Sequence, residues 1–136
     1  MLETSIEWGL LTQILIYSNV ILCIIVALLA RSDFIGLFIG IFVFVLFIIQ
    51  NRLEIIDYLR YYLQVNLLNV IYDLIWLIFH YQGYWNGSDY DYAELGLKKW
   101  TFFFSSINFL VKFILFISLW ISYDRALKRQ KRNSIK

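Results

Sequence analysis

Residues 66–81 read NLLNVIYDLIWLIFHY, an apolar run with Asp73 near its middle. An ionised carboxylate away from water costs several kcal/mol unless something compensates it. Whatever neutralises Asp73 therefore decides how the chain is put together. The surroundings of this stretch set the terms. The chain has 136 residues, 61% hydrophobic and only 16% charged, whereas soluble domains are nearer half apolar and a quarter charged.

The apolar residues fall into four blocks, 8–30, 34–50, 61–81 and 100–123, each with few charges or none. About 20 such residues, within a range of roughly 17–25, carry a helix across a bilayer. The expected fold is all-α: a polytopic membrane protein with four transmembrane helices and a basic C-terminal tail, 124–136. Between spans, the longest connection, 82–99, is too short to enclose a core, so residues 1–136 read as a single membrane domain. The segment MLETSIE ahead of the first block is acidic, unlike a signal peptide, so that block reads as a retained span.

With four spans, both termini share one side with the 51–60 connection. That side carries Arg52, Arg60, Arg125, Lys128, Arg129, Lys131, Arg132 and Lys136, against Arg31, Lys98 and Lys99 on the other. Lys- and Arg-rich segments stay inside, which places both termini in the cytoplasm, or in the matrix of a mitochondrion. Trp8, Trp100, Trp120 and Tyr123 mark block ends. Tyr58, Tyr61 and Tyr62 gather at one end of the third block, Tyr81, Tyr84 and Trp85 at the other. Such rings favour the headgroup level.

Counted along the third block, Asn66, Asn69, Asp73, Trp76 and His80 advance by steps of 3, 4, 3 and 4, one narrow helical stripe. In the fourth block Thr101, Ser105, Asn108 and Lys112 do the same, and Lys112 is its only charge before Tyr123. Asp73 lies eight residues from the outer end of its span and Lys112 twelve from the outer end of its own. At about 1.5 Å per residue the two differ by roughly 6 Å in height, within reach of a lysine stem. Ionisable residues inside membranes pair with one another and face the bundle interior. The expected compensation is an Asp73–Lys112 ion pair, with Asn66, Asn69 and Asn108 as hydrogen-bond partners and His80 extending the seam. Its plain role is to hold the hairpin together. A proton or ion relay is the alternative, but the first two blocks offer no charge to continue one.

Other residues carry weaker signals. Thr12, Gln13, Ser18 and Asn19 can hydrogen-bond to neighbouring helices, and Gly36 and Gly40 have the spacing of a close helix crossing. Glu54 and Asp57 read as acids opening a helix beside Arg52 and Arg60. Asp89, Asp91 and Glu94 lack calcium-loop spacing, and their loop suits a protein contact better. Asn86-Gly-Ser is a formal glycosylation sequon. Arg125, Lys128, Arg129, Lys131 and Arg132 form a basic cluster suited to anionic lipid, worth about 1 kcal/mol per residue near the surface. Cardiolipin is one such lipid. The lone Cys23 offers no disulfide or thiolate site. We find no arrangement typical of catalysis, cofactor, metal or nucleic-acid binding, and the chain reads as a non-enzyme.

The residues around Asp73 also carry a resemblance. Asp57, Asp73 sixteen residues later, and Tyr81 match a spacing found in the angiotensin II type-1 receptor-associated protein family, and so do Lys112, Tyr123 eleven residues on, and Arg125. The resemblance runs from about Arg52 to Arg125. The family has proline after its lysine where this chain has Phe113, and a long receptor-engaging tail where this chain has a short basic one. The resemblance implies a small polytopic fold and a role through partners, that of an endomembrane receptor-trafficking adaptor in the endomembrane or plasma membrane. From the residues themselves, the first expectation is an accessory subunit of a mitochondrial inner-membrane assembly, respiratory chain or ATP synthase. A small proton- or ion-conducting subunit using Asp73 is the third.

Overall fold

Every element is helical in the computed structural model, which describes residues 2–29, 34–45, 56–85 and 92–135, and side chains within 9–29, 34–45, 56–83 and 94–135. The helices are α1 (Leu2–Leu28), α2 (Phe34–Val43), α3 (Ile56–Trp85) and α4 (Tyr92–Ser134). Three of them, α1, α3 and α4, are long and apolar enough to cross a membrane, as in an integral membrane protein. The described part of α2 has 10 residues, about 15 Å of helix, against a hydrocarbon core of about 30 Å. Residues 46–50 of the expected second span lie outside the described residues. So do Arg31, Arg52, Glu54, Asn86, Asp89, Asp91 and Lys136, and the side chains of Trp8, Tyr84 and Trp85.

The helices outrun the apolar blocks. The third begins at Ile56 rather than 61, and the fourth is one helix of 43 residues rather than a span followed by a separate tail. The chain contains no proline, the residue that would stop a helix at the membrane boundary. Pairs at i and i+4 carry the extensions: Lys98 with Glu94 at 3.3 Å, and Lys128 with Asp124 at 2.6 Å. Residues 82–85 and 92–99 of the expected outer loop are accordingly helical.

Contacts between helices fix their directions. Thr12 meets Ser118 while Cys23 meets Asn108, so α1 and α4 are antiparallel. Asn66 meets Lys112 while Tyr81 meets Phe102, so α3 and α4 are antiparallel too. Tyr17 against Phe44 and Val20 against Gly40 make α1 and α2 antiparallel. Among the described residues α4 packs against both α3 and α1, α2 packs against α1 and α3, and the diagonal pairs stay apart. The order is a square up-and-down bundle.

Its interior is mainly apolar at one end, where the buried Thr12–Ser118 pair is the polar exception, and mainly polar at the other. At the α4 C-terminal end, Leu15, Ile16, Val43, Leu59, Tyr62, Leu63, Leu115 and Leu119 form a buried apolar cluster drawn from all four helices. Towards the end where α3 stops and α4 starts, the buried polar positions are Asn19, Asn66, Asn69, Asp73, Thr101, Ser105, Asn108 and Lys112, beside Cys23, Val26 and Val70. The outer surface is reversed: Leu68, Phe79, Phe38 and Ile14 are more than half exposed. Such a surface suits hydrocarbon, where apolar side chains carry no hydration cost and polar groups belong inside.

Candidate functional site

The polar half-core is built by helical spacing. Along α4 the buried residues are Thr101, Ser105, Asn108, Lys112, Leu115, Ser118 and Leu119, a stripe that is polar up to Lys112 and mostly apolar beyond it. Along α3 the stripe runs Leu59, Leu63, Asn66, Val70 and Asp73. Each Cα–Cβ bond tilts towards its own helix N-terminus. Because α3 and α4 are antiparallel, Asp73 leans towards the apolar end and Lys112 leans towards the turn. Their side chains converge.

Lys112 Nζ lies 2.7 Å from Asp73 Oδ2, and both side chains are fully buried. The ammonium also donates to Asn69 Oδ1 at 3.3 Å. Asn66 Nδ2 donates to the backbone carbonyl of Lys112 at 3.2 Å. One asparagine thus binds the lysine head and the other its backbone. A charge pair so deep is tolerable only where added hydrogen bonds offset its desolvation, and Asn69 supplies one on the cation.

Asn108 turns the other way. It exchanges weak hydrogen bonds with Cys23 of α1, Nδ2 to Sγ at 3.6 Å and Sγ to Oδ1 at 3.8 Å. Cys23 also reaches Asn19 Oδ1 at 3.5 Å. The expected ring of three asparagines around the pair is therefore corrected: Asn66 and Asn69 hold Lys112, while Asn108 ties α4 to α1. The geometry explains the split, because α4 lies between α3 and α1 and Asn108 sits on the α1 side of its stripe. His80 is half-buried near the end of α3. Its Nδ1 lies 2.9 Å from the Trp76 carbonyl and so carries the proton, and its ring stacks on Trp76 at 4.5 Å.

On α1, Thr12 makes the interhelical bond expected of it, while Asn19 bonds Cys23 of its own helix. Thr12 and Ser118 share a hydroxyl–hydroxyl bond of 2.5 Å, both buried. Cys23 and Ser118 are the partners that the sequence reading lacks. The spacing Thr12, Ile16, Asn19, Cys23, Val26, all buried, is the signal that would have found the face.

Beyond the bundle, Arg125 is half-buried and Lys128, Arg129, Lys131 and Arg132 are exposed on the last turns of α4. Asp57 is exposed in the first turn of α3. Among the described residues, no three His, Cys, Asp or Glu side chains come together to hold a metal ion. No protein-family model matches this chain, and neither a curated protein nor a solved structure matches it.

Proposed function

We propose that the chain is a non-catalytic integral-membrane accessory subunit of a larger membrane complex, a respiratory-chain or ATP-synthase assembly of the mitochondrial inner membrane. The observation that carries this reading is the far end of α4. The helix runs eleven residues past Tyr123 to Ser134, about 16 Å, and bears Arg125, Lys128, Arg129, Lys131 and Arg132. Like charges at i and i+4, as at Lys128 and Arg132, destabilise a helix, and Asp124 pairs with Lys128. A negative surface, from anionic lipid such as cardiolipin or from a neighbouring subunit, would hold that helix in place.

The buried ion pair suits the same role. It neutralises both core charges internally and leaves an apolar face for lipid or for other membrane helices. A conducting role for Asp73 is the weaker reading, because the apolar cluster stands between the pair and the α4 C-terminal end.

The test is to tag the N-terminus, solubilise gently and identify what co-migrates on a native gel. Co-migration with a respiratory or ATP-synthase complex is the expected result. A small particle containing receptor or vesicle proteins would overturn it in favour of a trafficking adaptor.

A further inference from the structure

Three fully or almost fully buried side chains beside the ion pair have a polar atom with no hydrogen-bond partner among the described residues: Asn66 Oδ1, Asn69 Nδ2 and Ser105 Oγ. Their chemistry is fixed by their neighbours. The carbonyl of Lys112 can only accept, so Asn66 must present its Nδ2 there and keep its oxygen open. The ammonium of Lys112 can only donate, so Asn69 must present its oxygen and keep its Nδ2 open. The open set is thus an acceptor, a donor and a hydroxyl able to act as either.

Position completes the argument. Asn66 and Asn69 are one turn apart, with Cβ atoms roughly 5–6 Å apart, a gap that one water molecule bridges. Since Lys112 is level with Asn66, antiparallel counting puts Ser105, seven residues from Lys112, level with Asp73. All three open atoms therefore flank the ion pair. Buried water typically makes about three hydrogen bonds to polar groups that protein atoms leave unsatisfied.

We propose that the polar half-core binds internal water between Asn66, Asn69 and Ser105. This water hydrates the Asp73–Lys112 pair. It exchanges with the aqueous phase only through the half of the bundle that holds it, because Leu59, Leu63, Leu115, Leu119, Ile16 and Val43 close the other end. The bundle is wet in one half and closed by apolar side chains in the other, so it passes no protons.

The experiment is water-edited solid-state NMR on the full labelled chain in lipid vesicles. Water magnetisation should reach the side-chain amides of Asn66 and Asn69 about as quickly as it reaches exposed Lys131, and should reach the methyls of Leu115 and Leu119 severalfold more slowly. Transfer to the amides as slow as to those methyls means a dry core and overturns the proposal. Ser105→Ala should weaken transfer at Asn69 severalfold while the spectrum otherwise keeps its folded pattern. Unchanged transfer in that variant removes Ser105 from the site and overturns it as stated. Proton flux under a pH gradient above that of protein-free vesicles would overturn the one-sided exchange.

Discussion

Lys112 spans two turns of α3: its carbonyl is bonded by Asn66 while its ammonium reaches Asp73, seven residues further on, at 2.7 Å. The residue is therefore fixed at both ends, and the register of the hairpin is fixed with it. A slip of one helical position would separate the charges and leave each buried alone.

Removing one charge should accordingly be far worse than removing both. Asp73→Asn or Lys112→Leu alone leaves an uncompensated buried partner and should cost about 3–5 kcal/mol. The double variant Asp73→Leu/Lys112→Leu should recover most of that loss, since well-packed apolar replacements of a buried pair are commonly neutral or stabilising. Thermal unfolding in detergent of the four proteins measures this. A double variant no better than the worse single one would remove the pair from its structural role.

The two asparagines that hold Lys112 should differ in effect. Asn69→Leu removes an acceptor from a buried ammonium, and loss of such a charge-assisted bond is worth about 1.5–3 kcal/mol. Asn66→Leu removes a donor from a carbonyl, a neutral bond of about 0.5–1.5 kcal/mol. The order Asn69 above Asn66 in destabilisation is the expected result of the same unfolding measurement.

Thr12 and Ser118 should be energetically coupled. Replacing either with alanine takes this bond from the other hydroxyl, whereas replacing both removes the bond and both hydroxyls together. Across membrane helices such couplings run at about 0.6 kcal/mol, with a maximum near 1.7. A double-mutant cycle that closes to zero would show that α1 docks on α4 without this bond.

At Gly40 an added Cβ would lie 3.5 Å from Asn19 Nδ2 and 3.6 Å from Val20 Cγ2, which is ordinary contact. Gly40→Ala should therefore be tolerated. Gly40→Leu should force α1 and α2 apart, costing about 1–3 kcal/mol as overpacking does. Cross-linking between engineered cysteines on the two helices, at Tyr17 and Phe44, should persist in the first variant and fall sharply in the second.

The basic turns of α4 should govern orientation. Converting Arg125, Lys128, Arg129, Lys131 and Arg132 together to glutamine leaves three Lys/Arg on each side and so removes the bias that sets topology. A fraction of molecules should then insert with the C-terminus on the opposite face. Accessibility of a C-terminal cysteine to an impermeant reagent, in sealed vesicles, reads this directly.

The sequence by itself determined the helical class and the faces of α3 and α4. Hydrocarbon imposes backbone self-satisfaction and a long apolar run, and polar groups in such runs collect on one stripe. Opposite single charges at nearly equal depth then made Asp73 and Lys112 legible as partners. Where the helices stop was not legible from hydropathy. Continuation past the membrane boundary depends on the absence of proline and on pairs such as Glu94–Lys98 and Asp124–Lys128, so α4 extends to Ser134. Which asparagine serves which partner was decided only in three dimensions. Asn66, Asn69 and Asn108 look alike on a helical wheel, but α4 lies between two neighbours, and a stripe facing both must divide its residues between them. That division gives Asn69 to the ion pair and Asn108 to Cys23. It also brings α1 into the polar core, because a helix's neighbour across the bundle is set by packing and not by its own periodicity.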